Sequence, residues 1–221
     1  GRLTAILGAS GSGKTTFALQ LLHSAITGGD FLHWKGKGGT RVLLLDAEQG
    51  LRTIQRRLDE TGFEGQYPHI IRVPEGINLD QPHEAALIEE VIAQGQYDIV
   101  CLDPLYKLHK GEITDERVSV ELMRRLDSWR EHYKFGLLLL AHCRKPSPGF
   151  PFTIHDVFGS TAVLRGAEVV LGLQRVESGS SVVHFFKDRD GDLPVGDAEE
   201  LAFTRERGFR PRIKRGTEGW L

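Results

Sequence analysis

Residues 8–15 read Gly-Ala-Ser-Gly-Ser-Gly-Lys-Thr and fill every fixed place of the pattern G-x-x-x-x-G-K-[ST]. An apolar run, Leu3 to Leu7, leads into it. Thr16-Phe17-Ala18-Leu19-Gln20-Leu21-Leu22 continues out of it with helical character. A strand, a glycine-rich turn and a helix in that order form a phosphate cradle. Glycines let backbone N–H groups converge where a side chain would intrude, and the helix N-terminus adds partial positive charge. The cradle comprises Gly8, Ala9, Ser10, Gly11, Ser12, Gly13, Lys14, Thr15 and Thr16. Lys14 is the cation for the β- and γ-phosphates, and Thr15 is the hydroxyl for Mg²⁺. The expected ligand is ATP with Mg²⁺, ATP being the default because no guanine-reading motif is visible.

Such a loop predicts a parallel sheet with helices on both faces, and the rest of the chain supplies the parts. Arg41–Asp46, His69–Val73, Tyr97–Asp103 and Gly136–Ala141 read as strands. Gly50–Glu60, Pro82–Gln94 and Thr114–Lys134 read as helices, the last with Thr114 as a plausible N-cap. From Val169 the pattern changes to short strands and turns (169–175, 181–187, 200–205), expected as an antiparallel extension on the sheet edge. The fold class is therefore α/β, a P-loop domain with a mainly parallel twisted sheet and antiparallel C-terminal strands. The 221 residues suit one such domain. The sequence begins on the strand that carries the loop, without methionine, which raises the expectation of a domain excised from a longer chain.

Ligands of these sheets bind beyond the carboxyl ends of the strands. Asp103 ends the apolar strand Ile99-Val100-Cys101-Leu102 and is the candidate carboxylate for the Mg²⁺ shell beside Thr15. No Glu follows it, so a catalytic carboxylate must come from elsewhere. Glu48, two residues past the strand that ends at Asp46, is the candidate. Asp46 is its rival, and Glu48 also reads as an ordinary acidic residue near a helix N-terminus.

Taken in order, several segments resemble the RecA-like ATPase core, and within it the RepA-type hexameric replicative helicases. They are Asp46-Ala47-Glu48, Asp103-Pro104-Leu105, an insertion at Phe31–Arg41, and His142-Cys143-Arg144-Lys145 after a late strand. Gly159-Ser160-Thr161-Ala162-Val163-Leu164 and Lys187-Asp188-Arg189 complete the set. The likeness runs from Leu3 to about Phe203. It departs at His142-Cys143, where relatives carry two histidines. The resemblance implies that Glu48 orients or deprotonates the attacking water and that His142 senses the γ-phosphate. It further implies that Lys187 and Arg189 act on a neighbouring subunit's nucleotide, which requires a homo-oligomer such as a hexameric ring. Loops at these places in the family bind single-stranded DNA. Here they are 105–115, with Tyr106, Lys107, His109 and Lys110, and 144–156, with Arg144, Lys145, Phe150, Phe152 and His155. Cations among aromatics suit a single strand, although the prolines of the second loop also suit a plain connection.

A net charge of −2 gives no global field for nucleic acid, so any such contact must be local. No apolar run approaches a membrane span. Cys101 and Cys143 lie in apolar runs, as expected of a reduced, cytoplasmic chain. The arginines at 52, 56 and 57 read as a solvated helix face from which one can approach the nucleotide. The segment Arg205–Arg215 reads as a frayed tail. Three readings follow. The first is an ATP-driven motor on single-stranded nucleic acid. The second is an ATP-dependent DNA-binding, recombination or assembly factor that does not unwind. The third is a small-molecule kinase, disfavoured by Glu48 and the late Lys-Asp-Arg hairpin.

Overall fold

The computed structural model describes all residues except 74–76, 109–115, 144–151, 157–161, 177–179, 205–207 and 212–221. Thr114, His109, Lys110, Arg144, Lys145, Phe150 and the Gly159-Ser160-Thr161 triplet fall outside the described residues. The strands are β1 (Leu3–Gly8), β2 (Asp30–Phe31), β3 (Trp34–Lys35), β4 (Val42–Asp46), β5 (His69–Arg72), β6 (Ile99–Asp103), β7 (Gly136–His142), β8 (Val169–Arg175), β9 (Ser181–Asp188), β10 (Ala198–Thr204) and β11 (Gly208–Pro211). The helices are α1 (Lys14–Thr27), α2 (Leu51–Thr61), α3 (Pro82–Gly95), α4 (Glu116–Tyr133) and α5 (Ala162–Gly166).

Nine strands form one sheet in the order β11-β10-β9-β8-β1-β7-β6-β4-β5, and β2 pairs with β3 in a separate hairpin. The strands from β8 through to β5 run parallel. The antiparallel part begins at β9, one strand later than the sequence suggested, because β8 lies parallel beside β1. Hydrophobic alternation alone does not encode strand direction.

Side chains alternate across this sheet and make two cores. Leu3, Ala5 and Leu7 of β1 face one side with Leu43, Leu45, Leu137 and Leu139, under Ile88 and Ile92 of α3 and Leu122, Leu126 and Trp129 of α4. Ile6, Val42, Leu44, Leu138 and Leu140 face the other, under Phe17, Leu19 and Leu22 of α1 and Ile54 and Leu58 of α2. Burial on both faces explains why these strands are continuous apolar runs. Phe31 is buried, and its ring meets those of Phe17 and Trp34, so the insertion caps the α1 side of the core. Cys101 and Cys143 are buried free thiols. Among the described residues no helix is long and apolar enough to cross a membrane.

The segment read as a frayed tail is partly ordered. Residues 208–211 form edge strand β11 against β10. Phe209, 2% exposed, turns its ring onto Phe17, and its backbone N–H donates to Gln20 Oε1 at 2.7 Å. The chain's last described strand is therefore seated against the helix that follows the P-loop.

Candidate nucleotide site

The carboxyl ends of β1, β4, β6 and β7 share one edge of the sheet. Register puts Gly8 opposite His142 and Asp46 opposite Asp103. A cavity of about 590 Å³ opens there. Ser10 to Thr16 form its floor, with Glu48, Gln49, Arg57, Asp103 and His142 along the rim. Gly8 and Ala9 do not line it. Their carbonyls accept from Lys14 Nζ at 2.7 and 3.0 Å, so the lysine closes the loop on itself. A Cβ at Gly8 would overlap the Ser12 hydroxyl and stand 2.7 Å from the Leu173 carbonyl, so the loop has no room for a side chain there. Gly13, at φ 95°, caps α1 in the left-handed region, and a Cβ on it would lie 2.8 Å from the Phe209 ring.

Thr15 Oγ1 donates to Asp103 Oδ2 at 2.7 Å. Burial, aided by the charge of Asp46, pushes the Asp103 carboxyl up to about 6, against the Thr15 bond and the charges of Lys14 and Arg57. Burial also raises the Asp46 carboxyl and lowers Lys14, the latter against nearby anionic groups. A hydroxyl and a carboxylate side by side are hard oxygen donors. They fit Mg²⁺, which takes one or two protein oxygens and completes its shell with phosphate oxygens and water.

Asp46, 1% exposed, pins the loop that follows β4. It accepts from the Gln49 backbone N–H at 3.1 Å and from that of Glu48 at 3.5 Å. Of Asp46 and Glu48, the rivals in the sequence, Asp46 is buried beneath the loop and Glu48 stands at the cavity. Glu48 Oε2 lies 3.9 Å from His142 Nε2. Burial and Lys14 hold His142 below the ordinary imidazole range, against the pull of Glu48, and the Tyr106 ring meets it edge-on at 5.0 Å.

Lys187 and Arg189 are not part of this cluster. In β9, Lys187 is opposite Val170, and the Arg189 N–H donates to the Glu168 carbonyl, level with Leu3 at the amino end of the sheet. Five residue steps along β1 separate that level from Gly8, roughly 16 Å of strand. Lys187 Nζ donates to the Leu164 carbonyl at 2.9 Å. Of the loop residues expected at a strand of nucleic acid, Tyr106 and Lys107 sit in a 3₁₀ turn at Leu105–Leu108, and His155 is exposed. Phe152 is different. Its ring is buried against His184 and Phe186, so it offers no free face for a base.

Sequence reasoning missed Gln49, Arg175, Ser181 and Phe209, all of which line the cavity. Of the three arginines on α2, Arg57 is the one that does so. Gln49 Nε2 donates to Thr15 Oγ1 at 3.1 Å and to Asp103 Oδ2 at 3.4 Å. No local pattern marks these residues, whose partners lie far along the chain.

A family model described as an AAA domain matches residues 1–148, more than half of the chain. The chain belongs to the AAA domain family. That membership makes it a nucleotide-binding ATPase domain of the P-loop class, and the matched span contains β1 with its loop, Glu48, Asp103 and His142. No curated protein matches the sequence.

Proposed function

We propose that the chain is an ATP-hydrolysing motor domain that works as a homo-oligomer, a hexameric ring, on single-stranded DNA, in the manner of RepA-type replicative helicases. The observation that carries this reading is that the nucleotide cavity and the late Lys-Asp-Arg hairpin lie at opposite ends of one sheet. Thr15, Asp103, Glu48 and His142 cluster at one end, while Lys187 and Arg189 stand at the other. Such a division favours a site completed by a neighbour, through a heterologous contact of the kind that closes rings.

In this reading Lys14 leaves the Gly8 and Ala9 carbonyls for the β- and γ-phosphates. Thr15 and Asp103 would hold Mg²⁺, which would supply charge neutralisation at the phosphate oxygens. Glu48 orients a water and takes its proton as the water oxygen bonds to the γ-phosphorus. The bond to the bridging oxygen breaks, and ADP leaves with that electron pair. His142, neutral and beside Glu48, is placed to register the change and pass it to the loop that follows β7. Arg189 and Lys187 of a neighbouring subunit offset the charge that develops in the transition state. A cytoplasmic location belongs to the same proposal and accords with the two buried thiols.

The test is the ATP hydrolysis rate per subunit against protein concentration, with and without single-stranded DNA, alongside a strand-displacement assay. The reading expects the rate to climb with concentration and with DNA. It expects Lys14→Ala and Arg189→Ala each to be inactive and their mixture to regain activity. Stimulation by DNA without strand displacement would favour the assembly or recombination reading. A rate indifferent to concentration, to DNA and to Arg189→Ala would refute the shared site.

A further inference from the structure

The Gln49 side chain is the polar group at the site for which neither fold nor family supplies a task. Its main chain is fixed, because Asp46 accepts the backbone N–H groups of both Glu48 and Gln49. Its carboxamide then reaches across to β6 and the P-loop and donates one NH₂ group to Thr15 Oγ1 and Asp103 Oδ2 together. Those are the oxygens that fit a divalent cation. Thr15 Oγ1 spends its proton on Asp103 and must offer a lone pair to any metal. The Gln49 N–H already takes a lone pair of that oxygen.

The orientation of the carboxamide is not arbitrary. An ionised carboxylate only accepts hydrogen bonds, so turning the amide over would set Oε1 against Asp103 Oδ2. The NH₂ group therefore faces Thr15 and Asp103, and the cost appears at the other end. Gln49 Oε1 is buried and has no hydrogen-bond partner among the described residues. A buried acceptor without a donor is unfavourable, and it is relieved when the side chain swings out to water.

We propose that Gln49 is a positioning residue whose carboxamide stands in for the divalent cation between Thr15 and Asp103 and must leave when the metal–nucleotide enters. This rests on the nucleotide-site reading above. The amide keeps the two oxygens hydrogen-bonded while the site waits, and it competes with the metal for them. Because Asp46 holds the backbone, the exchange moves one side chain and leaves Glu48 in place.

The measurement is the affinity for a fluorescent ADP analogue in Mg²⁺ and again in EDTA, for the wild type, Gln49→Ala and the volume-retaining Gln49→Leu. Mn²⁺ uptake in the presence of ADP, followed by electron paramagnetic resonance, reads the metal directly. The reference for each protein is its own affinity in EDTA. Relative to it, the gain in Mg²⁺ should be on the order of 3- to 10-fold larger in both variants than in the wild type, the equivalent of losing one competing hydrogen bond, and Mn²⁺ should bind correspondingly tighter. An unchanged Mg²⁺ gain would overturn the stand-in role. A smaller gain would also overturn it, since Gln49 would then be helping to hold the metal. If the folded wild type binds the ADP analogue under neither condition, the nucleotide reading itself fails and the proposal goes with it.

Discussion

Replacing Phe209 by alanine tests the least expected feature of the fold, the docking of β11 on the P-loop helix. Phe209 is 2% exposed, its ring centroid is 5.9 Å from that of Phe17 in an edge-on arrangement, and it lies against Gly13. Removing a buried Phe ring costs about 3–5 kcal/mol when the surroundings cannot collapse into the space. At an edge strand some collapse is available, so the low end, about 3 kcal/mol, is expected. In a chain of this length that lowers Tm by roughly 6–12 °C. Urea unfolding, with and without ADP, is the assay. The variant should shift the midpoint at unchanged slope, and ADP affinity should weaken because the wall behind Gly13 is gone. A second variant, Gln20→Met, removes only the acceptor of the Phe209 N–H and should lower stability by about 1 kcal/mol. If Phe209→Ala unfolds within about 0.5 kcal/mol of the wild type, a loss within the range of ordinary surface substitutions, the ring is not seated at the loop and the reasoning is wrong.

Two further outcomes follow from the same geometry. The Asp103 carboxyl, raised from 3.8 to about 6 by burial and by Asp46, binds its proton more tightly folded than unfolded. The folded state therefore holds the extra proton between about pH 4 and 6, and this group's contribution to stability falls as pH rises through that window, by roughly 3 kcal/mol in all. Unfolding of the nucleotide-free protein in EDTA should show that slope, and Asp103→Asn should reduce it to what the raised Asp46 carboxyl contributes; equal slopes in both proteins would contradict the assignment. At Gly172 a Cβ would overlap the Phe186 ring and come within 2.6 Å of Phe152. Gly172→Ala should therefore lose about 1–3 kcal/mol to overpacking despite the better strand propensity of alanine, and a neutral or raised Tm would argue against that packing.

What the sequence revealed, and what it hid, divides along one line. The P-loop is a local pattern in which eight consecutive residues carry both geometry and chemistry, so it was legible outright. The parallel strands were legible because double-sided burial writes itself as runs such as Leu43-Leu44-Leu45 and Leu137 to Leu140. Asp103 and Glu48 were legible as candidates because they follow such runs. Phe209 was hidden among five arginines and a lysine in Arg205–Arg215, where one buried ring in a four-residue strand makes no periodicity. Gln49 was hidden for a different reason. Its partners are 34 and 54 residues away, and only the register that brings β4 beside β6 puts it over Thr15. Phe152 erred in the opposite direction. Its neighbours in sequence made it look like a stacking ring, but the glycine at 172 opens a space on β8 that the ring fills.

The placing of carboxylates also bears on why the site is built as it is. β4 and β6 bring Asp46 and Asp103 to the same level of the sheet, both buried, and two ionised carboxylates so placed repel. Each is nevertheless given partners of its own. Asp46 takes the backbone N–H groups of Glu48 and Gln49, and Asp103 takes the Thr15 hydroxyl and the Gln49 amide. The two residues therefore do different work from matching positions. The charge of Asp46 is spent on holding a loop, which fixes where Glu48 stands. The charge of Asp103 is held only by a neutral hydroxyl and a neutral amide, with the Lys14 ammonium turned to the Gly8 and Ala9 carbonyls. Burial and the charge of Asp46 raise its pKa further than the Thr15 bond and the more distant charges of Lys14 and Arg57 can lower it. A divalent cation at Thr15 and Asp103 would supply a close positive charge, and Lys14, released to phosphate, would add to the effect. The site is thus destabilised in the absence of its ligand at one identifiable carboxylate. That same carboxylate offers the larger differential affinity for a metal-bound over a metal-free nucleotide, so replacing Asp103 by asparagine should both stabilise the free protein at neutral pH and flatten its response to Mg²⁺ in ADP binding.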